Sequence, residues 1–462
     1  MANEKPRLKI TFAGGAGSVT GANFLLETLT GQDDVKVLID CGLFQGDVEN
    51  EQKNELAFPY DPTIINALLV THGHLDHIGR IPVLVKQGFT GPIYSTPPTK
   101  DIADLSFHDS VGIMTKEQRG YSDQELPFDA GDVKAALRQW QTAPYHKPIT
   151  IGPLTIVFRD AGHILGSAMI ELMLDGRKIV FTGDLGNSPT PLLPDTERVT
   201  DADYLVMESV YGDRNHEDRG DRRDHLEDVI EETMRAGGTL VIPAFSIERT
   251  QEILYEVEQM MENSRIPLVP VFIDSPLAIA ITKLYKQYSD YLNEKVRHEI
   301  KDGDVLFGFP QLKLTTSTEE SKAILKSAPR KIIIAGSGMS TGGRVIHHEK
   351  AYLPDAKSTL LLIGYQSVGT LGRVIQDGAK LVKILGSEVP IRARVVNIRG
   401  YSAHKDSDGL LDFVAASART LKLVLVAMGE PKSALFLVQR IRDYFGLNAR
   451  APEAGEEVIL SW

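Results

Sequence analysis

The stretch His72-Gly73-His74-Leu75-Asp76-His77 gathers three imidazoles and a carboxylate within six residues, directly after the apolar run Ala67–Val70. Neutral imidazole and carboxylate are zinc ligands, commonly three or four to an ion. In a turn, His72 and His74 face one side, and Asp76 and His77, opening a helix, face another. One short segment can therefore serve two ions, and two neighbouring ions together hold a phosphoryl group and activate a water. Four residues do not saturate two ions. Further candidates each follow a strand: His163 in Asp160-Ala161-Gly162-His163, Asp184 in Thr182-Gly183-Asp184-Leu185, and Asp40 in Ile39-Asp40-Cys41-Gly42. Glycine beside each lets the backbone turn sharply. Alone, an Asp-Gly or Gly-His pair is most simply a turn, but chance rarely assembles the cluster at 72–77.

Short apolar strands alternating with amphipathic helices must position these groups, which predicts an α/β protein. Strands are expected at Val35–Ile39, Ala67–Val70, Leu154–Phe158, Lys178–Phe181, Tyr204–Met207, Thr239–Ile242, Val269–Ile273, Lys331–Ile334, Thr359–Ile363, Arg392–Ile398 and Leu421–Val426. Nearly every polar cluster lies just past the carboxyl end of one of them, where open α/β sheets place their sites. After Glu208 the character changes. A densely charged helical stretch leads into strand–helix units, Leu240–Ile242 into Glu248–Glu262 and Phe272–Ile273 into Leu277–Lys286, the rhythm of a second doubly wound unit.

The 462 residues are 42% hydrophobic and 24% charged, a balance that excludes disorder, collagen and coiled coil as the main class. No apolar run reaches membrane-spanning length, so no membrane partner is expected. The opening residues lead into the strand-like Leu8–Phe12 rather than a signal-peptide core. The single cysteine, Cys41, excludes an internal disulfide and fits a reducing compartment. A cytoplasmic location is expected. The formal charge is −12, yet Lys313–Lys405 holds 15 Lys and Arg against 6 Asp and Glu. That segment carries +9 and the remainder −21, which suggests one place where an anion docks, although a solvated basic face has the same composition. Within it, Ser337-Gly338-Met339-Ser340-Thr341-Gly342-Gly343-Arg344 and Gln366-Ser367-Val368-Gly369-Thr370-Leu371-Gly372-Arg373 each follow a strand and end in Gly-Arg. Backbone N–H groups, hydroxyls and a guanidinium suit phosphate oxygens, although neither loop has the Gly-Lys-Ser/Thr pattern of a P-loop. Tyr365 and Phe309 are candidate base-stacking aromatics, with core packing the commoner role. His108, His146, His216, His225, His298, His347 and His348 lack ligand-like company; His347-His348 lies near Arg344, where substrate contact is an alternative, but is assigned to a helix surface. Cys41 is assigned to packing.

The cluster at 72–77, with Asp40, His163 and Asp184 around it, resembles the metallo-β-lactamase superfamily. Glu208 in Met207-Glu208-Ser209, the long insertion, and Tyr401-Ser402-Ala403-His404 resemble its β-CASP branch, which includes the cleavage and polyadenylation endonuclease and RNase J. The resemblance covers essentially the whole chain. It implies an αββα sandwich formed by 1–208 and 387–462, with a β-CASP domain inserted at 209–386 as a lid over the site. It implies two zinc ions: His72, His74 and His163 on the first, Asp76 and His77 on the second, Asp184 bridging, and Asp40 orienting the ligands from behind. Glu208 and His404 match motifs of the branch in which a carboxylate holds a protonated imidazole ready to donate. Ser337, Ser340, Arg344, Ser367, Arg373 and Ser402 become the candidate phosphate contacts.

One position departs from the pattern. RNA-cleaving members of the branch have a histidine ligand of the second ion before Gly-Glu, and here the stretch reads Val426-Ala427-Met428-Gly429-Glu430. Thioether is a poor zinc ligand, so a weaker second ion is expected. The function implied is a zinc-dependent ribonuclease that hydrolyses phosphodiesters of single-stranded RNA, endonucleolytically or from the 5′ end, as a monomer or homodimer. The alternatives are a β-CASP DNA nuclease, since DNA-cleaving members also have an apolar residue at this position, and a nucleic-acid-binding protein with impaired catalysis. A lactonase or glyoxalase would need neither the insertion nor Glu208 and His404.

Overall fold

A computed structural model describes residues 7–31, 34–46, 48–121, 126–216, 221–364, 366–367 and 369–461. Tyr365 and Val368 lie outside the described residues. Two compact units emerge. The first comprises Met1–Pro189, Pro194–Asn215 and His404–Trp462, and the second Thr190–Leu193 and His216–Ala403.

Two seven-stranded sheets build the first unit. One runs Glu457–Ser461, Arg7–Gly14, Asn23–Leu29, Lys36–Ile39, Ala67–Leu69, Ile93–Ser95, Trp140–Thr142. The other runs Ala449–Arg450, Leu423–Val426, Tyr204–Met207, Arg177–Phe181, Ala168–Leu174, Leu154–Asp160, Ile149–Ile151. Successive strand residues point to opposite faces, and the sequence obeys this closely. Val37, Ile39, Tyr204 and Val206 enter one core shared by both sheets. Leu38 turns the other way, toward Ile81, Leu84, Val133 and Ala136 of the helices Ile81–Lys86 and Ala130–Gln139. Leu205 and Met207 turn toward Leu410, Val414, Leu437 and Ile441 of the helices Ser407–Ser417 and Pro431–Phe445. The layers are helix, sheet, sheet, helix, the expected αββα sandwich.

The second unit holds a six-stranded, wholly parallel sheet in the order Leu312–Leu314, Val271–Asp274, Lys331–Ala335, Thr239–Pro243, Thr359–Ile363, Arg394–Ile398. Val241, Ile333, Leu360 and Leu362 pack with Val345, Leu353 and Ile375 on one face. The alternate residues Leu240, Ile242, Ile332 and Ile334 are equally buried on the other, as a sheet covered on both sides requires. The unit boundaries, 215/216 and 403/404, lie later than the 208/209 and 386/387 expected from sequence. The shift of the second boundary follows from the strand Arg394–Ile398, which pairs with Thr359–Ile363 and so belongs to the insertion. Among the described residues no helix is long and apolar enough to cross a membrane.

Candidate metal centre

The ligand candidates sit just past strand ends of the first unit, on loops except for Asp76 and His77, which lie in the short helix Leu75–Ile78. Strand Lys36–Ile39 delivers Asp40, which has a φ of 58° and aims its carboxylate at the neighbouring ligand turn. One oxygen accepts from the Thr71 N–H (2.8 Å), the other from the Thr71 hydroxyl (2.7 Å) and from His77 Nδ1 (2.7 Å). The chain after Asp40 is laced to the ligand turn: Cys41 N–H donates to the His77 carbonyl, Leu43 N–H to Leu75, and Arg80 N–H to Cys41. Such close approach leaves no room for a side chain at Gly42, where a Cβ would fall 1.5 Å from the Asp76 carbonyl oxygen. Gly42→Ala is therefore expected to lower thermal stability by about 1–3 kcal/mol and reduce metal content with it. Gly112→Ala, whose Cβ meets nothing within 4 Å, should do neither.

Four ligand atoms converge. His72 Nε2 lies 3.1 Å from His74 Nδ1, which lies 3.2 Å from His163 Nε2. Both Nε2 atoms lie 3.5 Å from Asp184 Oδ2. Ligands about 2.0–2.1 Å from a tetrahedral zinc lie roughly 3.3 Å apart, so the donor set fits such an ion. Protonation agrees: burial holds the His72 imidazole below its ordinary pKa and those of His74 and His163 well below it. Neutral rings expose the lone pairs that metals need. The Thr71 hydroxyl donates to Asp40 (2.7 Å) and lies 3.0 Å from His72 Nδ1, so the tautomer protonated at Nδ1 completes this contact and leaves Nε2 bare.

A second set begins on the opposite oxygen of Asp184. His77 Nε2 lies 3.4 Å from Asp184 Oδ1 and 3.9 Å from Asp76 Oδ2. His77 Nε2 and Asp184 Oδ1 are buried without hydrogen-bond partners. Two buried orphan atoms facing each other are costly, and a cation between them would satisfy both. Beside them stands Glu208, fully buried. One of its oxygens accepts from the Leu185 N–H (2.6 Å), and both lie 3.3 Å from His404 Nδ1. The imidazole of His404 also lies 3.9 Å from Asp184 Oδ2. Burial opposes its charge, but the facing carboxylates of Glu208 and Asp184 win and raise its pKa to about 9. His404 is pinned by a β-bridge to Gly186 and by the Lys405 N–H bond to the Leu185 carbonyl.

The structure thus brings His72, His74, Asp76, His77, His163, Asp184, Glu208, His404 and Asp40 into one neighbourhood. Thr71 is the residue that sequence reasoning passed over: its hydroxyl touches Asp40, His72 and His77 at once. Its place directly before the cluster was the available signal. Ser167 also escaped notice, though its hydroxyl accepts the His163 N–H (3.0 Å) and fixes that loop. Met428 is buried in the shared core with φ 42° and lines a small cavity with Phe24, Asp40, Thr71, His77 and Glu208.

The candidate phosphate contacts all lie in the second unit, and two of them, Ser340 and Ser402, are buried. Ser340 is buried and its hydroxyl donates to Glu349. Arg344 is held by Asp274 (2.7 Å) and the carbonyls of Thr315 and Thr316 (2.8 and 2.9 Å), so its guanidinium is largely committed to the protein. Arg373 pairs with Asp377 (2.9 Å) one helical turn on. Ser337 bonds Thr341, Ser402 is buried and Ser367 is partly exposed. The two glycine-rich loops are themselves joined, Gly372 N–H to the Met339 carbonyl and Gln366 Nε2 to the Gly338 carbonyl. His348 corrects its surface assignment: it is buried, and Nε2 lies 2.6 Å from Asp274. Aspartate at the end of Val271–Asp274 attracts both His348 and Arg344, a long-range pairing invisible in local sequence.

Comparison with known proteins matches the chain to three domain families. Residues 29–197 match the metallo-beta-lactamase superfamily domain, 250–375 the Beta-Casp domain, and 388–452 the Zn-dependent metallo-hydrolase RNA specificity domain. The chain is 37% identical over 431 residues to a ribonuclease of Thermus thermophilus, covering 93% of this chain and 95% of that protein. It is 32% identical over 461 residues to the transcription termination factor FttA of Methanosarcina mazei, covering 96% of this chain and 70% of that one. A crystal structure of a protein of unknown function from Enterococcus faecalis shares the fold, with a TM-score of 0.56 at 14% identity, over 98% of this chain and 100% of that one.

Proposed function

This chain belongs to the β-CASP branch of the metallo-β-lactamase superfamily, and from that premise we infer that it is a metal-dependent ribonuclease that hydrolyses RNA phosphodiesters with two zinc ions. The observation that carries the reading is the division of Asp184: Oδ2 faces His72 and His163, and Oδ1 faces His77. His72, His74 and His163 would hold the first ion, Asp76 and His77 the second, with Asp184 shared. Bound there, the ions supply a Lewis acid for the phosphoryl oxygens and lower the pKa of a water.

The chain's own residues do the rest. Asp40 and Thr71 fix the tautomers and angles of His72 and His77. Glu208 holds His404 as an imidazolium through the Nδ1 contact. That imidazolium donates a proton to O3′ as a water-derived hydroxide oxygen bonds to phosphorus and the P–O3′ bond breaks, its electron pair passing to O3′. The products are a 3′-hydroxyl and a 5′-phosphate. The similarity to a named ribonuclease and the match to an RNA specificity domain favour RNA. A protein tells RNA from DNA through the 2′-hydroxyl.

The test is incubation of end-labelled single-stranded RNA, bearing a 5′-monophosphate or a 5′-triphosphate, and of DNA of the same sequence, with and without chelator. Chelator-sensitive cleavage of RNA that leaves 5′-phosphate ends is expected. Cleavage of DNA alone, or of neither, would end the ribonuclease reading. The comparison of 5′ ends separates internal cleavage from attack at the terminus.

Met428 bears on the second ion. Its side chain packs so closely beneath the site that a Cβ on Gly15 would fall 2.6 Å from its sulfur, and it offers no imidazole to the ion. Weaker second-site occupancy is expected, with activity that rises on adding zinc or manganese. Met428→His should tighten the second ion and raise activity at low metal, because imidazole binds a borderline cation far better than thioether. Zinc titration of both proteins decides it, and equal second-site affinities would count against this role.

A further inference from the structure

A buried charged network in the second unit converges on the last residues before the chain crosses to His404. Arg249 Nη1 donates to the Tyr401 carbonyl (2.6 Å) and pairs with Glu252. Arg222 Nη1 donates to the Gly400 carbonyl and Nη2 to Glu256, both 3.2 Å, and its guanidinium lies 4.9 Å from the Tyr401 ring centroid. The Tyr401 hydroxyl closes the circuit by donating to Glu256. All five side chains are buried, Tyr401 completely. Two guanidiniums meet two carboxylates. The adjacent Glu248, pushed up to about 8 by burial and then by the Glu252 charge, receives the Tyr285 hydroxyl.

Desolvated ion pairs are a poor source of stability, since apolar side chains of similar volume often serve as well or better. What this network provides is fixed geometry at two consecutive carbonyls, Gly400 and Tyr401. Only Ser402 and Ala403 separate Tyr401 from His404. We propose that Arg222, Arg249, Glu252, Glu256 and Tyr401 form a positioning network for His404: they hold the backbone at 400–401 and so fix the tether that presents the imidazole to Glu208. The proposal rests on the reading of His404 as the proton donor to O3′. None of the five is a catalytic residue. A group misplaced by about 1 Å loses up to about 10²-fold in rate, so remote residues that set its tether have a kinetic signature.

The test exploits the leaving group. RNA leaves as an alkoxide that needs the proton, whereas bis(p-nitrophenyl) phosphate leaves as a stabilised phenolate that does not. Tyr401→Phe removes one hydroxyl and leaves Glu256 its Arg222 partner, so folding is retained. We expect kcat on RNA to fall about tenfold, within that range, with KM, metal content and turnover of the activated diester unchanged. Arg249→Met should do the same or more, and Arg249→Lys, which keeps a donor for the Tyr401 carbonyl, should restore part of the loss. Equal losses on both substrates, a loss of metal, or no change in Tyr401→Phe would overturn the proposal. His404→Ala is the control. If it too slows both substrates equally, the donor reading fails, a result distinct from failure of the network alone.

Discussion

His74→Ala is expected to empty the first metal site and to lower RNA cleavage by more than about 10³-fold. His74 Nδ1 is the hub of the donor set, 3.1 Å from His72 Nε2 and 3.2 Å from His163 Nε2. Without it three donors remain, and water must complete a tetrahedral ion. The rate consequence follows from what the ions supply. A metal-held water ionises near pH 7 rather than near 15.7, and each 1.36 kcal/mol of barrier is a factor of ten in rate. Asp184→Asn should be as severe, because one neutral amide cannot serve both His72/His163 and His77 as the carboxylate does. Elemental analysis of the purified variants checks the cause independently of turnover. A His74→Ala protein that retains both its metal and its activity would remove this centre as the active site.

The parts of this centre legible in the sequence were those with local spacing. His72, His74, Asp76 and His77 share one turn, so their joint chemistry shows in a six-residue window. Their partners are distant: Asp40, His163 and Asp184 follow separate strands, and only the resemblance to a family placed them together. Strand ends were legible because β-branched and aliphatic runs stop at polar clusters, and Tyr204–Met207 and Thr359–Ile363 have the expected bounds. Glu457–Ser461 was not foreseen. It pairs with Arg7–Thr11 across almost the whole chain, and nothing local announces such a partner. His348 was misassigned for the same reason. A helix-pattern histidine reads as surface until Asp274, more than seventy residues earlier, is known to face it. The phosphate-binding loops carry a related lesson. Arg344 has the composition of an anion site, but composition does not reveal that Asp274 and two carbonyls already hold the guanidinium.

His404→Ala is expected to slow RNA cleavage by about 10²-fold or more, the usual contribution of a placed acid, with metal content unchanged. The ring lies 3.3 Å from Glu208, and the carboxylates of Glu208 and Asp184 hold it protonated against the effect of burial. Glu208→Gln keeps the shape and hydrogen bonds but removes the nearest negative charge, so it should lose a smaller factor through the same route. Residues that act as one unit are not additive. The double variant should therefore be no slower than His404→Ala alone. Independent losses that multiply would mean that Glu208 acts on something other than His404. The competing role is concrete, because one donor atom from each of Asp184, Glu208 and His404 lies within 4.8 Å of the others, close enough to hold an ion themselves. Loss of one equivalent of metal from His404→Ala would make His404 a ligand of the second ion, whereas full metal with slowed cleavage makes it the proton donor.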